Sequence, residues 1–154
     1  MGVDAERSAG TRTAGQARHR GREAAIQMLY QWEVGRIPIA EVCERFWVDA
    51  PLDSPIEDEA RAFATGLASG VAAHVSEIDP LITDAADHWR IERMQVMDRL
   101  ILRLAVYEFL FAPDTPGKVV INEALELART FSADDSVRFI NGILDAILRT
   151  RGRE

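Results

Sequence analysis

Residues 92–111 read ERMQVMDRLILRLAVYEFLF. Val96, Leu100, Ile101, Leu102, Leu104, Val106, Phe109 and Leu110 are apolar around most of a helical circumference, and a helix of that kind is covered on several sides. This one is expected to be central. Past Glu92 and Arg93 at its start, its charges are Asp98, Arg99, Arg103 and Glu108. Charges on a mostly apolar helix need partners, which are either internal or on another protein.

Working outward, the other segments read as amphipathic helices around that centre. Ala25, Met28, Leu29 and Trp32 fall at i, i+3, i+4 and i+7, giving a first helix over about 16–34 that Gly35 ends. A second covers about 39–48, after Pro38. Ser54-Pro55-Ile56-Glu57 is a capping box with proline at the first helical position, and opens a third helix running to about Val75. A fourth starts near Ser76–Pro80 and reaches about His88. Beyond the Pro113–Gly117 break, a sixth covers about 119–131. Asp134, Asp135 and Ser136 supply capping chemistry for a seventh, about 137–149, with its stripe on Val137, Ile140, Ile143, Leu144 and Ile147. No segment keeps a period of two, so the fold class is all-α with about seven helices. Residues 1–14, poor in large apolar groups, are expected to be a disordered tail.

The chain has 154 residues and a net charge of −7, but the charge is divided. Residues 1–40 carry a net +2, residues 41–92 a net −9, and residues 93–154 are balanced. From Arg12 to Arg22 there are four arginines and no acid. Screening confines charge effects to about 8 Å at physiological salt, so a basic patch can act in an acidic protein. Arg18, His19, Arg20 and Arg22 are its core. Residues 18 and 22 lie one helical turn apart and can straddle a phosphate backbone; the alternative is a basic helix end with no partner. Arg138 precedes Phe139, and an aromatic beside an arginine can stack a splayed base, although such an aromatic is more often core. Trp32, Trp47 and Trp89 read as packing residues.

Other chemistry is excluded or unsupported. Cys43 is the only cysteine, which rules out an intrachain disulfide and any two-thiolate zinc site, reads as a small apolar residue, and suits a reducing, cytoplasmic setting. His19, His74 and His88 lack metal-ligand spacing. No phosphate-binding loop, dinucleotide fingerprint or nucleophile elbow occurs. No apolar run approaches a membrane span. No catalytic residue, cofactor or metal is expected.

Four segments carry a resemblance: RHRGREAAIQMLYQWE (18–33), MDRLILRLAVYE (97–108), KVVINEALELARTF (118–131) and DDSVRFINGIL (134–144). Together they resemble the NusB family of bacterial transcription antitermination factors, over about residues 16–150. The resemblance implies an all-helical fold of two packed subdomains, with residues 15–150 as one RNA-binding domain and no catalytic activity. It further implies binding of boxA RNA, notably in ribosomal RNA transcripts, together with NusE, a small-subunit ribosomal protein. RNA polymerase and other Nus factors are implied partners, and a homodimer is a further possibility. On this reading RNA contacts fall on Arg18, His19, Arg20, Arg22, Lys118, Asp135, Arg138 and Phe139. Contacts to the protein partner fall on Tyr30 and Asp98. His19 stands where the family often has arginine, and Gly21 is expected to loosen the helix start. Two rival readings are the helical part of an RNA methyltransferase, for which the sequence lacks a cofactor loop, and a self-associating adaptor.

Overall fold

The computed structural model describes residues 3–49 and 58–151, and the side chains of residues 15–48 and 58–151. The described residues form seven α-helices and one 3-10 turn, with no strand: α1 (Val3–Glu33), α2 (Ile39–Asp49), α3 (Asp58–Ala73), α4 (Val75–Ala85), the 3-10 turn (Ile91–Arg93), α5 (Val96–Phe111), α6 (Gly117–Phe131) and α7 (Asp134–Thr150). The expected capping box at 54–57 lies outside the described residues. So do the side chains of 1–14, on which the expected tail falls, although α1 is assigned from Val3.

Helix α5 is central, as its apolar circumference requires. It packs against α1, α3, α4, α6 and α7, and Leu100, Ile101, Leu102 and Val106 are fully buried. Helices α1–α3 form one group and α4–α7 another, but one continuous core of buried side chains runs through both. At about 25 cal/mol per Å² of apolar surface removed from water, this core is the main stabilising term.

Several boundaries differ from the sequence reading. Helix α5 starts at Val96, not Glu92, because a separate 3-10 turn precedes it. Helix α4 ends at Ala85, not His88: Asp87 and His88 take left-handed backbone (φ 53° and 63°). Pro80 is interior to α4, where it leaves the Ser76 carbonyl without its helical donor; Ser76 is exposed, so water can take its place. Gly35 does end α1, but the left-handed residue there is Arg36 (φ 56°). Gly35 is required instead by close approach, since a Cβ would stand 2.5 Å from the Gln31 carbonyl oxygen.

Gly21 tightens the fold where it was expected to loosen it. A Cβ there would come within 2.9 Å of the Phe63 ring and 3.2 Å of the Ala60 carbonyl oxygen. Glycine thus lets α1 lie close on α3. Gly21→Ala gains up to about 1 kcal/mol of helix propensity but incurs about 1–3 kcal/mol of overpacking against a backbone atom. We expect a net loss of about 1 kcal/mol in urea unfolding; a stabilised variant would contradict the close-approach reading.

Candidate RNA interface

The charges on α5 are all satisfied internally. Arg22 Nε and Nη2 donate to the two Glu108 carboxylate oxygens at 3.0 and 2.8 Å, with both residues buried. Arg103 donates to both oxygens of Asp79 at 2.9 Å and to Glu33 at 2.9 Å. Burial by itself would lower the Arg103 pKa, but hydrogen bonds and charge from Asp79, then Glu33, outweigh it and hold the value above the ordinary one. Arg99 donates to Glu33 at 3.1 Å. Asp98 is buried and accepts from Ser132 Oγ at 2.8 Å and Ser136 Oγ at 2.9 Å.

These pairs revise two sequence assignments. Arg22 shares a face with Arg18, and both guanidiniums lie over the Phe63 ring, at 5.2 and 5.5 Å. Arg18, however, is exposed, whereas Arg22 is 3% exposed and held by Glu108. Spacing places two residues on one face but says nothing of depth. The structure therefore gives Arg22 the work of joining α1 to α5, and its guanidinium is not presented to a phosphate. Ser136 was expected to cap α7; Ala133 is the N-cap, and Ser136 points inward to Asp98. Asp134 and Asp135 instead sit in the first turn, where negative charge favours the helix dipole.

The remaining candidates fall into two clusters. At the start of α6, Lys118 is exposed. His19, half-buried on α1, lies 3.1 Å from Glu23 and 3.0 Å from Glu123 of α6, which fixes the basic end of α1 against that helix. Arg18 and Arg20 flank this contact in sequence; Arg20 is half-buried. At the far end of α6, across the short turn into α7, Asp135, Arg138 and Phe139 are all exposed. The residue-level expectation that Phe139 is core is overturned: it is 37% exposed. Helix α6, near whose two ends the clusters lie, is 15 residues long, or about 22 Å at 1.5 Å per residue.

The matching family model is that of the NusB family and covers residues 19–149. The chain belongs to the NusB family. A transcription antitermination protein NusB of Koribacter versatilis is 46% identical over 86% of this chain and 88% of that one. NusB of Myxococcus xanthus is 43% identical over 85% of this chain and 94% of that one. The solved NusB of T. maritima superposes with a TM-score of 0.76 at 36% identity, covering 86% of this chain and 90% of that one. The NusB family is non-catalytic, as the sequence led us to expect. No helix among the described residues is long and apolar enough to cross a membrane.

Against this family background, Tyr30 and Asp98 present differently. Tyr30 is 45% exposed on α1 and Asp98 is 6% exposed. The structure also adds residues that the sequence reading did not single out. Trp89, read as packing, is 55% exposed. With Arg93 it lines an open groove of about 480 Å³ that Asp98, Asp135 and Phe139 also line. The local signal was present in His88-Trp89-Arg90, an aromatic between basic groups, but it lies at the end of the acidic segment.

Proposed function

We propose that this NusB-family chain is a transcription antitermination factor that binds boxA RNA of nascent ribosomal RNA transcripts together with NusE, within a complex of RNA polymerase and other Nus factors in the cytoplasm. One observation carries the RNA reading. Among the described residues, Arg22, Arg99 and Arg103 are consumed by internal carboxylates, whereas exposed Lys118 and Arg138 have no ion-pair partner and Arg18 only rests on a ring. Free cations at both ends of α6, with an exposed aromatic at one end, suit an extended single strand: phosphates position it and unstacked bases are read. Arg18, His19, Arg20 and Lys118 serve the first end, and Asp135, Arg138 and Phe139 the second.

NusE is assigned contacts with Tyr30, on α1, and with Asp98, which lines the groove that also carries Phe139. Tyr30 can touch a partner directly. Asp98 acts through Ser132 and Ser136, whose hydroxyls it holds, and so sets the turn between α6 and α7.

The test is boxA RNA binding across salt, with and without NusE. Phe139→Ala is expected to weaken binding about tenfold, the loss of one stacked base. Arg18→Ala and Lys118→Ala should each weaken it across sequences and reduce the salt slope by about one. Equal affinity for boxA and scrambled RNA, with Phe139→Ala unchanged, would overturn the assignment. A homodimer that RNA does not dissociate in light scattering would favour the self-associating adaptor.

A further inference from the structure

The connection between α4 and α5 presents an aromatic group in an unusual way. Asp87 and His88 are consecutive left-handed residues. Asp and His tolerate that region better than most side chains, yet holding two in succession still costs free energy. The turn is fixed by the His88 N–H donating to the Thr83 carbonyl and the Trp89 N–H to the Ala86 carbonyl, each at 2.9 Å. Its result is to turn Trp89, Arg90 and Arg93 outward. Trp89 is 55% exposed, although indole is among the most strongly buried side chains on average. Arg90 and Arg93 are exposed, and among the described residues neither has an ion-pair partner. Arg45, Arg129 and Arg149, also on the surface, do have one.

The groove beside Trp89 joins this turn to the second cluster. It is lined by Trp89 and Arg93, by Asp98 of α5, and by Asp135 and Phe139 from the first turns of α7. Two exposed aromatics, a cation and an exposed carboxylate match one ligand chemistry: a flat group with an N–H edge, carried on an anionic backbone. A nucleobase splayed from single-stranded RNA has both parts.

We propose that Trp89 and Arg93 add a base-stacking subsite to the RNA face, with Trp89 stacking one splayed base in the groove shared with Phe139 and Arg93 holding a flanking phosphate. The subsite rests on the RNA reading above and extends it to a turn in the part of the sequence where acidic charge dominates. It gives the groove two stacking platforms where the sequence offered only Phe139. Asp135 on the rim can accept from the amino group of the bound base.

The experiment measures affinity for fluorescently labelled boxA RNA, and for a series of the same RNA with one abasic nucleotide at each position. Wild type, Trp89→Ala, Trp89→Phe, Arg93→Ala and Phe139→Ala are compared. Trp89→Ala is expected to weaken binding about tenfold and Trp89→Phe to restore most of it. At one position the abasic loss and the Trp89→Ala loss should be non-additive, since both remove the same stack. Arg93→Ala should lower the salt slope by about one. Trp89→Ala within twofold of wild type while Phe139→Ala is weak overturns the subsite alone. Both variants unchanged overturns the RNA face itself. Losses additive at every abasic position, or a Trp89→Ala defect confined to NusE binding, make the groove something other than a base site and overturn the proposal. Thermal melts of Trp89→Ala should match wild type, because the indole is mostly outside the core.

Discussion

Arg22→Ala is expected to lose about 3–5 kcal/mol of stability, because it leaves the Glu108 carboxylate buried without its partner. For a chain of this size that corresponds to a fall in Tm on the order of 10 °C. The effect should appear in thermal and urea unfolding with no RNA present. Replacing both partners, Arg22→Met with Glu108→Leu, should recover most of the loss, since a buried ion pair is often matched by apolar groups of similar volume. If Arg22→Ala melts like wild type while RNA affinity collapses, the buried pairing is not what Arg22 does. A combined change of Arg18, Arg20 and Arg22 therefore confounds folding with binding. The clean probe of the basic end is Arg18→Ala, since Arg18 is exposed.

Arg103→Ala should be the second largest loss, about 2–3 kcal/mol. Arg103 on α5 holds Asp79 of α4 with two hydrogen bonds and Glu33 of α1 with a third. The two carboxylates are partly exposed, at 21% and 22%, so water stabilises them when the guanidinium is gone and the loss falls below that of a fully buried pair. Arg103→Lys should recover less than half, because an ammonium cannot repeat the planar fork. The expected pattern in urea unfolding is a lowered midpoint with an unchanged slope. A Lys variant as stable as wild type would show that charge alone suffices there. RNA affinity measured well below the midpoint should be unchanged, which separates this network from the clusters at the ends of α6.

Local pattern made much of the fold legible. The apolar circumference of residues 96–110 predicts a central helix, and the structure packs five helices against it. The stripes of α1 and α7 predict their buried faces, because a 3.6-residue period sorts apolar side chains to one side whatever they pack on. Boundaries were less legible. The left-handed pair Asp87–His88 and the 3-10 turn at Ile91–Arg93 interrupt what the sequence reads as helix on either side. Asp and His tolerate the left-handed region, but no glycine or proline marks the turn, and it is held by hydrogen bonds such as His88 N–H to the Thr83 carbonyl.

The candidate site divides along the same line. The sequence by itself determined that basic groups gather before residue 23, that Lys118 and the Arg138–Phe139 pair exist, and, through long ordered segments, the family. Only the tertiary structure decided which of these groups a ligand can reach. Arg18 and Arg22 are equivalent by spacing, yet one lies outside the Phe63 ring and the other inside against Glu108, a residue 86 positions away. Trp89 reads as packing, and local pattern alone favours core for Phe139, yet both are exposed on one groove. The physical reason is that periodicity fixes direction around a helix axis. Burial and pairing depend on which other helix arrives on that side, and this is set by contacts far apart in the chain.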